Sequence, residues 1–290
     1  MIHQCISTIE DRFPTMVPTT NKKADNLQKK FYDELALDYD GMTGFEVRFS
    51  HERPFFRMLT ERYKLTNALD AGCGTGFHSI VLAQLGLQVT ATDISEEMLK
   101  QTRKHAKDYG VHIKTINSTF PEVRKAIQTR FDSVFCLGNT IAHLLTEKEF
   151  LSSFKSFYEV MKPEGILFLQ ILNYDRILAQ HHRIQSIKEA NGKMFVRFYD
   201  YEDKLIRFNI LTVEKSKEAL VHSLRSVTLR PWKAQDVVSL LRKIGFTDVK
   251  VFGSIAMDKY DGKHRKMLFS LRGGRHNVKY VNSHLKRNEE

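Results

Sequence analysis

Between Asn26 and Tyr39, apolar residues recur at helical spacing: Leu27, Phe31, Leu35 and Leu37. That spacing predicts a helix. A short loop around Gly41 and Gly44 follows, and a second helix is expected from about Pro54, a good first-turn residue, to about Tyr63. Short apolar runs then alternate with helical patterns. The runs are Asn67 to Ala71, Leu87 to Thr92, His112 to Ile116, Phe131 to Leu137 and Gly165 to Leu172. Helices are expected after Gly76, from Ser95 to about Lys107, and from about Glu147 to Met161. Ser95 suits a cap, and Glu96 and Glu97 suit the positive end of the helix it opens. Strands and helices alternating at these lengths specify an α/β fold with a doubly wound, Rossmann-like, mostly parallel sheet.

The pattern changes after Ile177. Period-two runs at Met194 to Tyr201, Leu205 to Val213 and Leu220 to Leu229 are separated by short polar turns and predict an antiparallel meander. The helical pattern returns from Lys233 to Ile244, with Gly245 as its stop. Strands are expected near Val249–Phe252 and Lys266–Leu271. The expected organisation is a loose leader and lid helix at 1–53, a core at 54–177 and 230–273, a small antiparallel β insertion at 178–229 walling part of the substrate pocket, and a basic tail at 274–290. No internal repeat is present.

The strand–loop–helix at 67–85 carries the strongest chemical signal. Its loop reads Asp70-x-Gly72-x-Gly74-x-Gly76. Glycines let backbone approach a ligand closely, and a helix N-terminus favours negative charge. A dinucleotide fingerprint needs a third glycine where Phe77 stands. The observed pattern, followed by Asp93 after the second strand, resembles motif I and the ribose-binding acid of class I S-adenosylmethionine-dependent methyltransferases. A carboxylate suits that role because it accepts two hydroxyl donors at once. Two further segments are similar to the glycine/sarcosine N-methyltransferase branch: Cys136-Leu137-Gly138-Asn139-Thr140-Ile141-Ala142-His143-Leu144 and Asn173-Tyr174-Asp175-Arg176-Ile177-Leu178.

The likeness spans about residues 30–272. It implies a seven-stranded methyltransferase sheet, S-adenosylmethionine as cofactor, and in-line methyl transfer to a small-molecule acceptor, with N-methylation of a small amine or amino-acid-like compound expected. It also implies cofactor contacts at Tyr39, Arg48, Asp70, Gly72, Gly74, Gly76, Asp93, Ile94, Met98, Asn117, Ser118, Leu137 and Gly138. Arg48 would take the cofactor carboxylate. Asn117 would bond the adenine or simply form a turn. Asn139, His143 and Tyr174 would lie near the reacting atoms, with the Asn139 carbonyl orienting the acceptor; the alternatives are a buried structural hydrogen bond for His143 and a strand terminus for Tyr174.

The resemblance breaks at Ile171-Leu172, where the glycine enzymes carry His-Arg and use the arginine to grip the amino-acid carboxylate. A leucine cannot pair a carboxylate, so glycine is not the expected acceptor. Arg197, Arg207 and Arg225 on the insertion strands are the candidate replacements, against the ordinary expectation that charges there face solvent. Tyr32, Tyr39, Phe45, Phe195, Phe198, Tyr199 and Tyr201 could offer aromatic faces to an amine, or pack the core.

Composition narrows the classes. The 290 residues are 42% hydrophobic and 27% charged, which excludes collagen-like and largely disordered chains. Three scattered cysteines, Cys5, Cys73 and Cys136, form neither a disulfide framework nor a zinc pattern. No metal is expected. Glu10, Asp11 and Arg12 interrupt any secretory signal, and no run suits a membrane span, so a cytoplasmic protein is expected. The net charge of +11 raises the prior for an anionic partner. RNA or another anionic macromolecule is therefore an alternative acceptor, although the Asp/Asn-Pro-Pro-Tyr/Phe motif is absent. A cofactor-binding protein without transfer activity is a further alternative. Ten Lys/Arg against six Asp/Glu fall at 178–230, and five against two at 272–290, outside most of the cofactor-binding core.

Overall fold

The structure, a computed structural model, describes residues 21–215 and 220–273. The expected leader at 1–20 and tail at 274–290 lie outside the described residues. Three helices come first: α1 (Asn21–Leu35), α2 (Tyr39–Thr43) and α3 (Phe45–Tyr63). The alternating core follows as β1 (Asn67–Ala71), α4 (Phe77–Gln84), β2 (Gln88–Asp93), α5 (Glu96–Asp108), β3 (Ile113–Asn117), α6 (Val123–Ala126), β4 (Phe131–Cys136), α7 (Glu147–Val160) and β5 (Met161–Leu172). Then come α8 (Tyr174–Gln180), the meander β6 (Ile184–Ala190), β7 (Lys193–Tyr201), β8 (Ile206–Lys215) and β9 (Leu220–Leu229), and finally α9 (Ala234–Ile244), β10 (Phe246–Phe252) and β11 (Lys266–Gly273).

Seven strands form one sheet in the order β10-β11-β5-β4-β1-β2-β3. All neighbours are parallel except β11, which runs antiparallel to both β5 and β10. Both faces are covered, as the unbroken apolar runs require. Leu69, Val134, Cys136, Leu167 and Leu169 join one core cluster, whereas Ala68, Phe135, Ile166 and Phe168 join the other. The strand order reverses at β1, which opens a crevice at the carboxyl ends of β1, β2 and β4. Helix ends follow the sequence signals. Ser95 Oγ accepts from Met98 N at 3.1 Å, Thr146 and Glu149 form a capping box, and Gly245 closes α9 with a positive φ.

Several expectations need correction. Pro54 lies inside α3 rather than opening it, and the helix starts nine residues earlier, at Phe45. A proline in this position leaves the Ser50 carbonyl without its helical donor, but Ser50 is exposed and water can replace that donor. The loop around Gly41 is the short helix α2. In α1 only Phe31 and Leu35 are buried; Leu27 and Leu37 are 49% and 84% exposed. The helix ends at Leu35, so Leu37 no longer falls on its buried face. The meander has an additional edge strand, β6, whose Ile184 and Ile187 face outward and break the alternation expected of a strand. Helices α3 and α8 run through the expected boundaries at 53/54 and 177/178.

The meander and the N-terminal helices are tied to each other and to the core. Lys193 pairs with Asp38 at 2.9 Å, and Arg225 with Glu34 at 3.6 Å. Beyond β9, Trp232 is buried, and its indole N–H donates to the Leu144 carbonyl at 2.9 Å. Among the described residues, no helix is long and apolar enough to cross a membrane, and no group of three or more His, Cys, Asp or Glu side chains could hold a metal.

Candidate active site

The crevice at the reversal point holds a cavity of about 1200 Å³, its open mouth included. Gly72, Cys73, Gly74 and Thr75 form its floor, Asp93 and Ile94 one wall, and Ser118 to Pro121, Leu137 and Gly138 the far side. Tyr32, Tyr39 and Arg48 close it from the N-terminal helices. Gly72 has φ +73°, and a Cβ there would lie 2.5 Å from Thr140 Cγ2, so both conformation and space demand glycine. A Cβ on Gly76 would lie 2.7 Å from Thr102 Cγ2, which keeps α5 close against the loop.

Asp93 is 8% exposed and already engaged. Its two oxygens accept from Gly74 N and Ser95 N, each at 2.9 Å. The carboxylate thus fixes the loop and the start of α5. Burial raises its pKa to about 6, against the lowering effect of those backbone donors and of Ile94. The N-terminal helices are bonded to the same loop. Ser95 Oγ donates to Asp33 at 2.6 Å, and Thr75 Oγ1 donates to Asp40 at 2.6 Å.

Arg48 lies on α3 over the Phe77 ring, 3.9 Å from its centroid. Its Nε and one terminal nitrogen donate to Glu52 at 2.7 and 3.2 Å, and the same terminal nitrogen lies 3.1 Å from His78 Nε2. Burial tends to raise the Glu52 pKa, but His78 and Arg48 outweigh it and hold the carboxyl well below its usual range. The second terminal nitrogen of Arg48 has no partner among the described residues.

A second chamber adjoins the first and shares Tyr32, Tyr39, Thr43, Arg48, Gly138 and His143 with it. Its other walls come from the ends of β5 and β11, from α8, and from the inner face of the meander. His143 stands at the junction. Its Nε2 shares a 2.7 Å hydrogen bond with Tyr32 Oη, while its Nδ1 is buried without a partner. Burial lowers its pKa to about 4, so the ring is neutral at neutral pH.

Not every expected site residue reaches a chamber. Asp70, Gly76, Met98, Asn117 and Tyr174 line neither. Asp70 is buried beneath the loop and accepts from Ser79 Oγ at 2.6 Å. The Asn117 amide donates to the carbonyls of Asp93 and Ile94 at 3.0 and 2.9 Å, which is the turn reading and leaves no amide hydrogen for adenine. Tyr174 is fully buried and accepts from Asn139 Nδ2 at 2.9 Å. Asn139 lines the second chamber, but its carbonyl already accepts from Leu172 N at 3.0 Å. It ties the end of β4 to β5, so this side chain has a structural part beside the one expected of it. Asn173 also acts structurally. It caps α8 and holds the carbonyls of Gly262 and His264 at 2.8 and 2.9 Å.

Among the aromatics, Tyr32 and Tyr39 line both chambers and Tyr199 the second, whereas Phe45 and Phe195 are core residues. Of the three insertion arginines, only Arg197 enters the chamber; Arg207 bonds Glu202, and Arg225 reaches Glu34. Sequence reasoning did not place Phe120, Gln170, Arg265 or Lys266 at the site. Arg265 and Lys266 stand at the start of a strand with no motif around them.

A methyltransferase-domain family model matches residues 68–165, the span from β1 into β5. The chain is 31% identical over 237 residues to a glycine/sarcosine N-methyltransferase of Aphanothece halophytica, covering 81% of this chain and 87% of that relative. A second glycine/sarcosine N-methyltransferase, of Parasynechococcus marenigrum, is 26% identical and is covered over 84% of its length. The fold is similar to that of an S-adenosylmethionine-dependent methyltransferase from Clostridium acetobutylicum, with TM-score 0.72 and 17% identity over 84% of this chain and 99% of that one. The orphaned polar atoms and close-approaching glycine loop suit such a cofactor, and nearly full-length identity to one branch extends the match beyond the loop. The chain belongs to the S-adenosylmethionine-dependent methyltransferases, in the family of the glycine/sarcosine N-methyltransferases.

Proposed function

We propose that the chain methylates the nitrogen of a small amine held in the second chamber. The observation that carries this reading is the adjacency of the two chambers, which share Tyr32, Tyr39, Arg48 and His143 as walls. The division of labour follows the expected organisation. The core at 54–177 and 230–273 holds the cofactor, the insertion at 178–229 walls the acceptor chamber, and α1 and α2 close the cofactor cavity as a lid.

When bound, S-adenosylmethionine supplies a methyl group already activated on a sulfonium. The protein's task is then alignment and exclusion of water. Gly72 and Gly74 would admit the cofactor close to backbone. Asp93 would accept from the ribose hydroxyls, and the free terminal nitrogen of Arg48 would take the cofactor carboxylate. Ile94, Ser118 and Leu137 would border the adenine.

An attacking amine must be neutral. His143, with a pKa near 4, is too weak a base to deprotonate an ammonium ion with a pKa of roughly 10. No carboxylate lines the second chamber to pair an ammonium ion. The surrounding cations favour the uncharged amine. His143 serves to position, presenting its unpartnered nitrogen at the junction.

The test is calorimetry with S-adenosylhomocysteine, followed by a product-release screen over amines, glycine and sarcosine included. Asp93→Ala should weaken S-adenosylhomocysteine binding at least about tenfold. Tight binding with no amine methylated would refute the transfer reading, and unchanged affinity in Asp93→Ala would remove Asp93 from the cofactor site.

A further inference from the structure

The two chambers differ in charge. Asp25, Asp93 and Glu149 line the first. The second is lined by Arg48, Arg176, Lys188, Arg197, Arg265 and Lys266, and by no aspartate or glutamate. Arg48 is neutralised by Glu52. Arg176 donates to the Lys263 carbonyl and the Gln180 amide, at 2.8 and 3.2 Å. Lys188, Arg197, Arg265 and Lys266 form no ion pair among the described residues, and the one side-chain bond among them runs from Arg197 to Ser186 Oγ at 2.6 Å.

The fold brings these charges to one cleft, with Arg197 half-buried in its wall and Arg265 and Lys266 exposed at its mouth. Along β7, Phe195 and Tyr199 are buried, and Arg197 lies between them on the same face by strand periodicity. Arg197 is therefore not a solvent-facing charge. Lys266 opens β11 directly opposite Leu172 of β5, so the two share a face of the main sheet. Asn173 fixes the turn before Lys266 by donating to the carbonyls of Gly262, His264 and Arg265. Burial, and then repulsion from Arg265, pushes Arg197 below its ordinary pKa, whereas at Lys266 the attraction of Glu52 opposes the neighbouring arginines. One carboxylate offsets one of four such charges.

We propose that the second chamber is a binding subsite for a doubly charged oxyanion, so that the methyl acceptor is an amine carrying either two carboxylates or a phosphate or phosphonate group. This rests on the second chamber being the acceptor site. The dianion sits against Arg197, Arg265 and Lys266, with Lys188 at the rim. Its charge anchors the molecule, while the same field keeps the amine unprotonated.

The experiment uses the full chain saturated with S-adenosylhomocysteine, and calorimetry with succinate, inorganic phosphate and acetate. At least one of the two dianions should bind at least about tenfold tighter than acetate, and Arg197→Met and Lys266→Met should each lose about tenfold of that affinity while leaving S-adenosylhomocysteine affinity unchanged. Lys266→Arg should retain it. Matched acceptors then name the source: glutamate and aspartate against alanine for dicarboxylates, aminomethylphosphonate against methylamine for phosphonates. Acetate binding as tightly as both dianions, or both Met variants keeping wild-type dianion affinity, would overturn the proposal. Dianion binding without transfer to any amine would retain the subsite and overturn the transfer reading instead.

Discussion

Asp93 shows how burial and ligand chemistry oppose each other at one residue. Its carboxyl is raised to about 6 by desolvation, while a cofactor's hydroxyl donors need it ionised. Below that pH, binding must expel a proton. Affinity for S-adenosylhomocysteine should therefore be flat above about pH 7 and fall about tenfold per unit below about 6, measured by calorimetry from pH 5 to 8. Asp93→Asn should flatten the profile at a weaker affinity. Folding of the cofactor-free protein carries the opposite sign. The unfolded carboxyl titrates near 4, so the raised folded pKa favours folding below that range and the gain is gone above about 6. His143 is the companion case: its lowered pKa makes it a neutral positioning group, with no charge change expected across the working range.

At the scale of elements, the base of the sheet is held by Asp132 on β4. It accepts from Thr66 N, Asn67 N and Lys162 Nζ at 2.9, 3.2 and 2.6 Å, joining the entries of β1, β4 and β5. Desolvation raises its pKa, but Lys162 and Thr66 outweigh it and hold the carboxyl at about 2. A depressed carboxyl contributes stability above its unfolded pKa near 4 and loses it as pH falls through the folded value. Asp132→Asn should cost about 1 kcal/mol at pH 7, allowing for solvent screening of a surface group. The urea midpoints of wild type and variant should converge as the pH is lowered from 5 toward 2. An undiminished gap at low pH would mean that neutral hydrogen bonding, rather than charge, holds this clamp. The Asn173 segment is a second lesson at this scale. Its motif-like character comes from holding the turn before β11, so its effect on the acceptor chamber runs through Arg265 and Lys266.

For the whole molecule, the net charge of +11 acquires a location. Part of the excess lines the acceptor chamber, Arg197 in its wall and Lys188 at its rim, on the same cleft as Arg265 and Lys266 from the far end of the chain. Such a field draws in anionic acceptors and is screened over about 10 Å at about 0.1 M salt. For an acidic amine, kcat/KM should fall about tenfold between about 20 mM and about 300 mM ionic strength, with little change for an uncharged amine in the same assay. Equal sensitivity for both acceptors would place the salt effect elsewhere than in the chamber. The glycine loop, by contrast, is held by bonds to Asp40 and Asp93 and should keep its cofactor affinity across that range.

By itself, the sequence determined the alternating sheet, its antiparallel insertion, the helix ends at Ser95 and Gly245, and the cofactor loop. Each of these is a local pattern whose physics lies within a few residues: period, capping chemistry, or a glycine forced by positive φ and close approach. Tertiary structure alone decided which polar groups were free. Asn117 and Tyr174 read as candidates because amides and phenols can bond ligands, but they line neither chamber and already bond Ile94 and Asn139. It also decided the acceptor chamber. Arg197 and Lys266 stand 69 positions apart, and no local pattern signals that a meander strand and the last strand of the sheet converge on one cleft. Charge has no periodicity; where it gathers is set by the fold.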